Sequence, residues 1–97
     1  MFFTIICADK PGALETRLST REAHLAYLTG CGAQLVHAGP MLDGAGKPCG
    51  SLLVVDVADR AAAEAFAAAD PYAVAGLFES VVIREHRVVF RDGVQVA

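Results

Sequence analysis

The chain has 97 residues, 55% of them hydrophobic, and a formal net charge of −3 at neutral pH. That length predicts one domain over residues 1–97, with more apolar material than a small monomer readily hides, so an oligomer is expected. The acidic balance and the scattered Lys and Arg residues exclude nucleic-acid binding as a main function. Cys7, Cys31 and Cys49 are widely spaced without a C-x-x-C motif, which excludes a disulfide framework or zinc site and fits a reducing, cytoplasmic setting.

Residues Phe2 to Ala8 are rich in aromatic and branched side chains and run into Pro11-Gly12, the pattern of a buried strand. This apolar run lacks a basic n-region and breaks before the length of a signal peptide or membrane span, so no membrane partner is expected. A polar segment containing Arg17 leads to Ser19-Thr20-Arg21-Glu22, a capping box that predicts a helix starting near Ser19. Leu25 and Leu28 mark its core face, and Gly30 and Gly32 end it.

Ala33 to Ala38 reads as a second strand, after which Gly39-Pro40 is expected to open a loop running through Asp43-Gly44-Ala45-Gly46-Lys47-Pro48. The third strand, from about Gly50 to Val57, sets Leu53, Val55 and Val57 on one face and Leu52 and Val54 on the other, so both faces want cover. Asp59 is the expected N-cap of a second helix whose stripe is Ala62, Phe66 and Ala69. Pro71 stops this helix and leaves Asp70 at a forced break, directed at His24 on the other helix. A turn from Tyr72 to Gly76, a last strand from Leu77 to Phe90 and a loose tail from Arg91 complete the chain.

The order βαββαβ predicts a ferredoxin-like α+β fold, an antiparallel four-stranded sheet with two helices on one face. The uncovered face is expected to join two copies in a homodimer.

His24 shares a helix side with Leu28 and Cys31, where an imidazole can exchange protons near neutral pH and Asp70 can orient it. From the residues alone two readings stand, a shared site or a surface histidine beside a helix-ending aspartate. Ser51 either supplies a donor to a substrate oxygen or simply begins a strand. Arg17 and Arg21, four residues apart, either bind an acidic substrate or pair with Glu15 and Glu22 in solvent. Tyr72 either caps the pocket with its hydroxyl or packs beside Pro71. The histidines His24, His37 and His86 have no ligand spacing with one another or with Asp70, and Gly44 to Pro48 lacks the residues of a phosphate loop, so neither metal nor cofactor is expected.

Four pieces in order, Leu14 to Leu25, Ala38-Gly39-Pro40, Gly50-Ser51, and Ala69-Asp70-Pro71-Tyr72 with Ala75-Gly76, resemble the YciI-like (YCII-related) family of dimeric α+β barrel proteins. The resemblance implies a His/Asp active site in each subunit, matched by His24 and Asp70, and adds Gly39 and Pro40 to the substrate-binding candidates Arg17, Arg21, Ser51 and Tyr72. Two positions depart from the family pattern: Glu22 stands where proline is frequent, and His86 where an aromatic such as tryptophan is frequent. The expected function is a small cofactor-independent enzyme, a dehydrochlorinase-like lyase or a hydrolase, acting on a small anionic or phenolic substrate. A non-catalytic binding or accessory dimer using the same pocket is the alternative.

Overall fold

In a computed structural model that describes all 97 residues, strand β1 (Phe2–Asp9) is followed by helix α1 (Leu14–Gly30) and a 3-10 turn (Gly32–Gln34). Strands β2 (Leu35–Leu42) and β3 (Pro48–Asp56), helices α2 (Arg60–Ala69) and α3 (Pro71–Val74), and strand β4 (Phe78–His86) come next. A short hairpin of β5 (Phe90–Arg91) and β6 (Val94–Gln95) ends the chain. The main sheet has the order β2-β3-β1-β4 with every pair antiparallel, which is the ferredoxin-like α+β arrangement.

Alternation decides the two faces. Phe3, Ile5 and Cys7 of β1, Leu53 and Val55 of β3 and Ile83 of β4 point the same way and close a core with Leu28, Ala63 and Phe66 from the helices. The intervening residues lie on the opposite, open face, where Ile6 and Val82 remain 38% and 37% exposed. No helix is long and apolar enough to cross a membrane.

Several expected boundaries move. Helix α1 begins at Leu14, five residues before Ser19, and Ala13 at its N-cap makes no side-chain bond. The Ser19 hydroxyl donates to the Thr16 carbonyl 3.2 Å away instead of capping. Tertiary anchoring of Arg17, described below, outweighs the local capping signal. Strand β2 runs straight through Gly39-Pro40, paired with Leu52 and Ser51, because β2 is a sheet edge and an edge strand tolerates proline.

Asp59 does cap α2, accepting from the Ala62 N–H at 2.8 Å. The buried residues of α2 are Ala63 and Phe66, while Ala62 is half-buried and Ala69 exposed. The expected turn after Pro71 is the short helix α3, and β4 ends at His86 rather than Phe90. The tail is an ordered hairpin, because Asp92 and Gly93 take φ of 51° and 76°, as a tight two-residue turn between antiparallel strands requires.

Candidate active site

The buried face of α1 carries Arg17, His24 and Leu28, a stripe at helical spacing turned towards the sheet. An arginine only 3% exposed needs its charge neutralised, and Asp9 at the end of β1 does this. Arg17 Nε donates to Asp9 Oδ2 at 2.7 Å and Nη2 to Asp9 Oδ1 at 2.9 Å, a bidentate pair. The same Nη2 also donates to Ser51 Oγ at 2.9 Å, tying α1 to β3. Burial opposes the Arg17 charge, and Asp9 together with Tyr72 more than offsets it, so the guanidinium holds its proton more tightly than an ordinary arginine.

Asp70 is placed by the helix break that Pro71 imposes. It caps α3, with Oδ1 accepting from the Tyr72 N–H at 2.9 Å, and the same oxygen lies 2.8 Å from His24 Nδ1. Both side chains are buried, with 10% of His24 and 3% of Asp70 accessible. A carboxylate on Nδ1 selects the tautomer with Nδ1 protonated and leaves Nε2 as the basic nitrogen.

Tyr72 completes the cluster. Its ring stacks on His24 with centroids 3.9 Å apart and planes 18° from parallel, and the Arg17 guanidinium lies 4.6 Å from the ring centre. Burial raises the Tyr72 hydroxyl above its ordinary range, against the opposing pull of Arg17 and Arg21, so it stays a neutral donor. Nearby Cys7 is pushed up to about 12, by burial first and then by the charge of Asp70, which removes it as a nucleophile.

A cavity of about 300 Å³ opens between α1 and strands β2 and β3. Of the residues expected at the site, His24, Arg17, Arg21, Ser51, Tyr72, Gly39 and Pro40 all line it, and Asp70 stands behind His24. Leu18, Leu25, Leu28, Ala38, Pro48 and Leu53 supply the apolar wall. Neither arginine pairs with Glu15 or Glu22: Arg17 is buried on Asp9, and Arg21 is exposed at the cavity without an ion-pair partner. His37 and His86 are exposed on β2 and β4, and no three His, Cys, Asp or Glu side chains are placed to hold a metal ion.

Asp9 is the residue that sequence reasoning missed, because it looked like part of the Pro-Gly turn. The available signal was Arg17 falling seven residues before His24 on one helix face, a buried position that demands a carboxylate partner.

The fold and the site together define a small ferredoxin-like α+β protein with a buried His/Asp pair behind a cavity of about 300 Å³. The model of the YCII-related domain matches residues 1–87, and the chain belongs to that family. It is 40% identical to protein YciI of Escherichia coli O6:H1 over 103 aligned positions, covering 93% of this chain and 100% of that protein. An uncharacterised protein of Haemophilus influenzae is 35% identical over 98 positions, with the same shares covered. Among solved structures, 5-chloro-2-hydroxyhydroquinone dehydrochlorinase from Burkholderia phenoliruptrix AC1100, in complex with 2,5-dihydroxybenzoquinone, superposes with a TM-score of 0.85. It shares 30% identity, and the match covers 90% of this chain and 94% of that one.

Proposed function

We propose that this protein is a small-molecule enzyme of the general acid/base type, acting on a single-ring substrate that carries ionised or phenolic oxygen. The observation that carries this reading is the 2.8 Å contact between His24 Nδ1 and Asp70 Oδ1, buried behind a cavity of about 300 Å³ that His24 lines. With Nδ1 engaged, Nε2 is the nitrogen that takes a proton from a ring hydroxyl or returns it. Delivered to the ring carbon that bears a leaving group such as halide, that proton makes the carbon tetrahedral. Loss of a second hydroxyl proton to Nε2 then drives the halide out, so a halide ion and a proton are lost, a quinone is left and no oxidant is consumed. Asp70 orients the imidazole and stabilises it when charged. Arg21, exposed and without an ion-pair partner at the cavity, is the cation available to an anionic substituent.

The 30% identity and close superposition with a dehydrochlorinase of a chlorinated hydroxyhydroquinone support elimination over hydrolysis. The test is chloride release from chlorinated hydroxyhydroquinones, read with an ion-selective electrode. Turnover by the parent that falls about 10²- to 10⁴-fold in His24→Ala is expected, in the range general acid/base groups contribute. Chloride release that is indifferent to His24→Ala sinks the proposal.

We also propose that the working unit is a homodimer joined through the open face of the sheet. Ile6 and Val82 on that face are each more than a third exposed in one chain, an apolar patch that a second sheet would cover. Sedimentation of the parent as a dimer and of Ile6→Lys as a monomer is expected.

A further inference from the structure

Resting on the ring-substrate reading, we infer that Asp9 is a positioning residue for ligand binding: through Arg17 it holds the Ser51 hydroxyl as a donor to a carbonyl or phenolate oxygen of the bound ring. Arg17 lines the cavity, and three of its five N–H donors are taken up inside the protein. Nε and Nη2 grip the two oxygens of Asp9, and Nη2 also reaches Ser51 Oγ at 2.9 Å. The positive charge of Arg17 is therefore already matched by Asp9, and an anionic ligand gains little from it.

What these three engaged donors deliver to the cavity is orientation. Ser51 is 3% exposed and faces the cavity from β3. Its oxygen accepts from Arg17, so its proton is directed away from the guanidinium, towards the space it lines. A hydroxyl whose oxygen already accepts from a cation is a stronger donor than a free one. A ligand group placed there must accept. A ring carbonyl or phenolate fits, and an ammonium does not.

The chain of contacts is also rigid. Asp9 closes β1, Arg17 sits on α1 and Ser51 on β3, so the bond to Ser51 joins three elements of the core. Arginine is required at its centre. A lysine can meet Asp9, but its single ammonium does not present the planar fork that spans Asp9 and Ser51 together.

The experiment is calorimetric titration of the parent and variants with 2,5-dihydroxybenzoquinone. Ser51→Ala and Asp9→Asn are each expected to weaken binding about tenfold, the usual loss of one hydrogen bond. The double variant should bind no more weakly than the worse single one, since both changes remove the same donor. A merely structural role for Asp9 gives losses that multiply, and that result overturns the inference. Because Asp9→Asn removes one partner of a buried ion pair and can prevent folding, Arg17→Lys serves as the second variant. Its titration should match that of Ser51→Ala, and binding equal to the parent overturns the inference. Failure of the parent to bind the ring defeats the proposed function and this inference with it. Parent binding with multiplying losses defeats the inference alone.

Discussion

Asp70 Oδ1 accepts two hydrogen bonds at once, from the Tyr72 backbone N–H at 2.9 Å and from His24 Nδ1 at 2.8 Å. One oxygen thus starts a helix and orients the histidine. Removing it with Asp70→Ala is expected to cost about 2–4 kcal/mol in urea denaturation, combining a lost cap with a buried imidazole left unpaired. Replacing it with Asp70→Asn keeps the shape and spoils the tautomer. Chloride release should then fall by about 10²- to 10⁴-fold while the fold survives, and nitrogen NMR of His24 should show the proton leaving Nδ1.

The buried protons predict how stability responds to alkali. Burial raises the Cys7 thiol from 9.0 to about 12 and lifts Tyr27 and Tyr72 above their ordinary 10.0. Between these values the folded chain holds protons that the unfolded chain has released. The stability tied to them is therefore complete below pH 9 and declines as pH rises towards about 12. Urea midpoints at pH 8, 10 and 11 should fall in that order, and a flat profile contradicts the assignment.

Thiol chemistry should separate the three cysteines. Cys49 is exposed, Cys31 is half-buried and donates to the Tyr27 carbonyl at 3.2 Å, and Cys7 is buried. One equivalent of a chromogenic disulfide reagent should react quickly at pH 8, a second slowly, and the third only in denaturant. Cys49→Ser should abolish the fast phase.

Gly50 is required by contact rather than by backbone angle. A Cβ built there falls 2.5 Å from the Cys7 carbonyl oxygen and 2.7 Å from Met41 Cε. Met41 can swing aside, but the carbonyl belongs to the β1–β3 ladder and cannot. Gly50→Ala should cost about 1–3 kcal/mol by forcing the strands apart. Because Ser51 is the next residue, ring binding should weaken with it.

The cap of α2 offers a smaller check. Asp59→Ala should lower stability by about 1 kcal/mol and leave ring binding unchanged, since Asp59 lies outside the cavity.

Much of the fold was legible because its strands and turns write local signals. The branched runs of β1, β3 and β4, the cap at Asp59 and the stop at Asp70-Pro71 all fall where side-chain chemistry alone puts them. Two of the departures share one cause, tertiary packing that overrides a local signal. The capping box at Ser19 was a real local signal, yet α1 starts at Leu14, where the first turn carries Arg17 onto Asp9. Gly39-Pro40 looked like a loop because sequence does not reveal that β2 is an edge. The Asp92-Gly93 hairpin was a local signal overlooked: an Asp-Gly pair favours the left-handed turn that both residues adopt.

The sequence by itself determined the order βαββαβ, the alternation that makes one sheet face core and leaves the other apolar and open, and the forced direction of Asp70. These depend on neighbours within a few residues. Only the tertiary structure decided that Arg17 belongs to Asp9 rather than to Glu15 or Glu22, and that one guanidinium serves both Asp9 and Ser51, 34 positions away from it along the chain. It also decided that the His24 ring lies flat on Tyr72. Those pairings rest on where strands register and how deeply α1 settles onto the sheet. A buried charge takes the partner that packing brings within reach, not the nearest one along the chain.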